Sequence, residues 1–135
     1  MRPLFFAHSG LRYLVLVAGV VALVYLVVAV VGRKRGGKVG RVVMSAFVGL
    51  LDLQIVLGIV LVALGDFYPA LIGHIMTMVI AAVVAHGSAA YAKRAGVEKA
   101  DQIRLVGVVV TLALIVVGIL SIGRAVFGTG APSFG

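Results

Sequence analysis

The sequence predicts an all-α membrane protein, a four-helix up-down bundle with both termini outside, and three observations carry that prediction. Four apolar runs fill most of the 135-residue chain, and about twenty such residues, rising ~1.5 Å each, cross a hydrocarbon core. Hydrophobic residues make up 63% and charged residues 12%, with a mean hydropathy of +1.26, which leaves no room for a sizeable soluble domain. The basic residues gather in two short stretches that follow the first and third runs, and the positive-inside rule puts both on the cytoplasmic side. The chain reads as one domain, 1–135, with spans at about 3–31, 42–64, 70–92 and 103–127.

Span one, within MRPLFFAHSGLRYLVLVAGVVALVYLVVAVVG, is about twice as long as a signal-peptide core, and its stronger positive cluster follows it, so it is retained. Pro3 suits the first helical turn, and His8 and Arg12 then stand one turn apart on one face. Gly32 to Arg41 breaks the helix with glycines and carries Arg33, Lys34, Arg35, Lys38 and Arg41. Span two holds Asp52 and Gln54 near its middle; a bare carboxylate at that depth costs at least ~2.5 kcal/mol, so Asp52 is expected to be protonated, paired or turned inward. GDFYPA, Gly65 to Ala70, is a turn with Phe67 and Tyr68 as an interfacial aromatic anchor and no basic residue, and it should face outside. Span three exits through AKRAGVEKADQIR, where Lys93, Arg94, Lys99 and Arg104 stand beside Glu98 and Asp101. Span four ends in GTGAPSFG, a tail with no predicted structure. Glycines and alanines within the spans permit close helix approach or leave space for a flat ligand, and no repeat indicates an inverted-repeat transporter.

Height along the spans orders the polar residues. At ~1.5 Å per residue from the cytoplasmic ends, His74 lies roughly 27 Å up, Arg12 roughly 28 Å, Arg124 roughly 31 Å and His8 roughly 35 Å. Two histidines on parallel, non-consecutive helices are the arrangement that clamps a flat macrocycle from opposite sides, one imidazole on each axial position of an iron, and arginine's planar fork matches a propionate carboxylate. The expected site is therefore a haem b held by His8 and His74, with Arg12 and Arg124 beside it. The same residues also have plainer roles, as an interfacial histidine and as arginines that snorkel to lipid phosphate.

Met76 and Met78 raise a copper alternative, because histidine with methionine suits copper(I); Met78 lies one turn beyond His74, but Met76 is about 200° round the helix. His86 is about 18 Å deeper than His74, with Asp52 and Gln54 as companions at a somewhat higher level on span two. This secondary polar site has several readings: a proton path, a quinone-headgroup contact, a five-coordinate haem ligand or a buried hydrogen bond.

AHSGLRYLVLV, DLQIVLG and GHIMTMVIAAVVAHG followed by KR resemble the small bacterial four-helix membrane proteins labelled cytochrome b-like. The matching positions are His8, Ser9, Arg12, Gln54, Gly58, His74, Met78 and His86, and the resemblance covers most of the chain. Tyr13 stands where that group has tryptophan and Gly73 where it has an acidic residue, a change that bears on a hydrogen bond to His74. The resemblance implies haem binding and the bacterial cytoplasmic membrane.

Three functions follow as expectations. The first is a haem-b electron-transfer protein or anchor subunit, exchanging electrons with a quinone or within a respiratory complex. The second is a non-catalytic accessory subunit of a larger membrane complex, or a homo-oligomer, in which the histidines serve interhelical hydrogen bonds. The third is a small proton-coupled transporter using Asp52 and His86. The net charge of +8 sits in loops facing lipid headgroups and does not call for nucleic acid. With no cysteine there is no disulfide, thiolate metal site or covalent haem attachment. Ser45, Ser88, Thr111 and Ser121 are single hydroxyls in apolar spans, and no phosphate loop or hydrolase motif appears, so an independent enzyme is not expected.

Overall fold

A computed structural model describes residues 2–32, 37–65, 69 and 71–121. They form four helices, α1 (Arg2–Val31), α2 (Gly37–Ala63), α3 (Leu71–Arg94) and α4 (Val97–Ser121). Each is long and apolar enough to cross a membrane. The helices therefore match the apolar runs, with one systematic difference at the end where the basic residues cluster. There α2 and α4 begin five and six residues before the apolar runs do, because a helix continues through charged residues until the backbone turns. At the α3–α4 link only Ala95 and Gly96 are non-helical, and the Gly96 carbonyl accepts the first bonds of α4 from Lys99 and Ala100. At the opposite end Gly65 closes α2 at φ +105°, a backbone state that glycine adopts without strain. Arg33, Lys34, Arg35, Phe67 and Tyr68, and the tail from residue 122, lie outside the described residues.

The helices form a ring in which α1 touches α2 and α4, and α3 touches α2 and α4. α1 and α3 stand on opposite corners, with no Cα of one within 8 Å of a Cα of the other among the described residues. Contacts run in opposite sequence directions along neighbouring helices: His8 meets Gly58 and Leu26 meets Gly40, while His74 meets Gly118 and Ser88 meets Gly107. Phe47, Leu26, Met44, Leu51 and Val108 fill the core.

The hairpins α1–α2 and α3–α4 share one layout. Val15, Gly19 and Leu26 of α1 are buried, as are Ala81, Ala85 and Ala92 of α3, sixty-six positions on. In α2 the buried Gly40, Met44, Phe47, Val48 and Leu51 correspond to the buried Ala100, Arg104, Gly107, Val108 and Thr111 of α4, sixty positions on. One of these positions departs from the sequence reading, which sets Arg104 among the loop charges. Arg104 is buried, and its Nη1 donates to Asp101 Oδ1 at 3.2 Å, with Gly40 leaving room for the pair. A buried ion pair needs such company, since either partner alone would be a desolvated charge.

Candidate functional site

Each of the two histidines on the diagonal helices lies against a glycine of a neighbouring helix. On α3, His74 Nδ1 lies 3.0 Å from the Gly118 carbonyl oxygen of α4. A carbonyl can only accept, so Nδ1 carries a proton, and in a neutral ring the lone pair is then on Nε2. A second partner that fixes the tautomer in this manner is what metal-ligating histidines have. On α1, the His8 ring lies over Gly58 of α2, where a Cβ would stand 3.1 Å from its Cε1. A Cβ on Gly118 would stand 3.5 Å from His74 Nδ1. Both histidines are half-buried.

The supporting glycines sit in one short pattern used twice, Ile55-Val56-Leu57-Gly58-Ile59 and Ile115-Val116-Val117-Gly118-Ile119. Sequence reasoning sought an inverted repeat and missed this direct one, though the sixty-residue offset of Ile-Val-x-Gly-Ile was the available signal. Helix contacts also refine the heights. Met44 of α2 faces Gly107 of α4, so Gly118 stands level with residue 55, about 4 to 5 Å along the axis from Gly58. The spacing between the two histidine levels is thus smaller than the roughly 8 Å read from span ends.

Arg12, one turn from His8, is buried; its Nη2 donates to the Tyr13 hydroxyl at 2.9 Å, and its guanidinium lies 4.8 Å from the Tyr13 ring centroid. Tyrosine at position 13 thus supplies both a hydroxyl acceptor and a cation–π face. Gln54 Nε2 donates to the His8 backbone carbonyl at 2.7 Å. Its Oε1 is buried and has no hydrogen-bond partner among the described residues, as is true of Thr111 Oγ1. Gly73 is exposed, and its carbonyl accepts from Thr77 Oγ1 at 2.6 Å; the His74 ring donates to the Gly118 carbonyl of α4. Met78 packs against the core, whereas Met76 is 58% exposed and faces away. Arg124 lies outside the described residues.

The secondary polar group divides. His86 Nε2 stands 2.7 Å from Asp52 Oδ1, a direct contact between α3 and α2 that heights counted from span ends do not anticipate. Gln54 belongs with His8 and not with this pair. Among the described residues no three His, Cys, Asp or Glu side chains gather as a metal cluster. The fold and these contacts define a four-helix bundle of membrane-spanning length with one histidine, His8 or His74, near the same end of each of two diagonal helices. No protein-family model, curated protein or solved structure matches the chain.

Proposed function

We propose that the chain is a haem-b electron-transfer protein of the bacterial cytoplasmic membrane, arranged up-down-up-down with both termini outside. The observation that carries this reading is that a histidine on each of two diagonal helices lies against a glycine at corresponding positions of the two hairpins, His8 over Gly58 and His74 bonded to Gly118. Two imidazoles on opposite corners would be the donor set for a haem iron, and at His8 a glycine stands where a Cβ would press on the ring. The Gly118 carbonyl accepts from His74 Nδ1–H and fixes the orientation of the ring. The Gln54 bond to the His8 carbonyl steadies the α1 turn that carries the other ligand. Arg12 offers a buried guanidinium to a propionate, and Arg124 is proposed to share that role from span four. When bound, the haem supplies one-electron chemistry, and burial with the nearby cations sets its potential. A quinone, or a larger respiratory complex, is the corresponding electron partner.

The test is the visible spectrum of full-length protein made with haem in excess. A Soret band with reducible α and β bands is expected, and it should be lost in both His8→Ala and His74→Ala. A colourless wild-type protein of normal helical content would sink the reading.

A further inference from the structure

The outward faces of the helices differ in composition. On α1 the outward stripe is Leu14, Val17, Val21, Val24 and Val28, each more than half exposed, a bulky apolar surface suited to lipid. On α2 the outward stripe runs through Ser45, Gly49 and Asp52 to Val56, and on α3 from Val83 through His86, Gly87 and Ala90, so the half nearer the basic loops is built of small residues. No heavy atom lies within 4 Å of where a Cβ would stand on Gly49 or Gly87. The His86–Asp52 contact crosses the end of this small-residue surface that lies farther from the basic loops, with 56% of the His86 side chain and 45% of the Asp52 side chain exposed.

His86 is eight residues from the end of α3 at Arg94, roughly 12 Å along the helix, and so lies below the headgroups. A half-open imidazole–carboxylate pair is costly there unless its second nitrogen and second oxygen are also satisfied. Neither His86 Nδ1 nor Asp52 Oδ2 bonds any described residue. The contact leaves one ring nitrogen and one carboxylate oxygen open, and the face is self-complementary: in a copy related by a twofold axis the open nitrogen of one pair matches the open oxygen of the other. Small residues let backbones approach closely, and in lipid such packing together with interhelical hydrogen bonds drives helix association.

We propose that the chain forms a twofold dimer through the outward α2–α3 face, with the His86–Asp52 pairs of the two copies meeting across it. Each pair closes the other's open hydrogen bonds, and Gly49 and Gly87 set the distance of approach. The occupant is a second copy because one face carries both halves of the complementary charge.

The absence of native cysteine allows a direct test with single-cysteine variants of the full chain in lipid bilayers. Under a thiol oxidant Ser45→Cys should give a disulfide dimer in several-fold higher yield than Val17→Cys on the lipid-suited stripe of α1. Adding Asp52→Leu with His86→Val should lower that yield several-fold. Leu53→Cys on the same face is the second variant, and circular dichroism checks that each is folded. Equal yields from the two faces, yields indifferent to the pair, no dimer, or a disulfide to a different protein would overturn the proposal.

Discussion

Two seams close the ring of helices, α1 against α4 and α2 against α3, and the shared layout of the hairpins makes them equivalent places built from different chemistry. Sixty positions after Asp52 stands Leu112, and sixty-six before His86 stands Val20. At the α1–α4 seam the Leu112 side chain packs into the space that Gly19 leaves, with Phe47 beside it, and the join is apolar. At the α2–α3 seam the same positions hold a hydrogen-bonded polar pair that stays half open, and the helices touch over a shorter length. A seam that seals itself with leucine on glycine asks nothing of its surroundings. The polar seam leaves donors and acceptors pointing outward, and in hydrocarbon those need company.

The sharpest way to break the comparison is to carry the polar chemistry across. Leu112→Asp places a carboxylate in the sealed seam without a histidine to meet it, and should cost at least ~2.5 kcal/mol, the insertion penalty of such a group near a span's centre. Unfolding in detergent followed by circular dichroism measures it, and a loss below ~1 kcal/mol would show that the seam is not sealed. Gly107→Ala comes next. Its Cβ would overlap the Ser88 side chain, which is short and tied to the Ala85 carbonyl, so about 1 to 3 kcal/mol should be lost, and Ser88→Gly in the same chain should recover most of it. Gly19→Ala should cost less, under ~1.5 kcal/mol, because the atoms it meets are the ends of the Leu112 and Phe47 side chains, which can turn aside.

The number and type of helices are legible in the sequence because apolar runs of spanning length have few other fates. Helix ends at the basic loops are not, since hydropathy marks the lipid-compatible stretch and not the hydrogen-bonded one. His8, Arg12, His74, His86 and Asp52 stand out as ionisable residues in apolar surroundings. Their partners do not. Gly118 contributes a carbonyl and Gly58 contributes space, and neither property distinguishes one glycine from the other glycines of the chain until the helices are paired. Height counted from span ends also puts Asp52 above His86, whereas their side chains reach along the seam and meet. Arg104 resembles a surface charge because its sequence neighbours are charged, while the helical repeat turns it inward beside Asp101.

The smallest expected effect is also the most informative about the open seam. Replacing Asp52 with leucine alone leaves His86 without its carboxylate, and replacing His86 with valine alone leaves a carboxylate facing lipid; each should lower stability. Replacing both reproduces the chemistry of the α1–α4 seam, and exchanging a polar pair for apolar residues of similar size is close to neutral. The double variant should therefore be more stable than the sum of the single losses by about 0.5 to 1.5 kcal/mol, a coupling that a double-mutant cycle isolates. Measured at protein-to-detergent ratios low enough to hold the chain monomeric, the cycle reports the contact within one copy. Repeated in bilayers, where copies meet, the coupling should grow, because each pair then also serves its neighbour. A cycle that is additive under both conditions would mean that the 2.7 Å contact contributes nothing to holding α2 on α3, and that the seam is kept by its apolar residues alone.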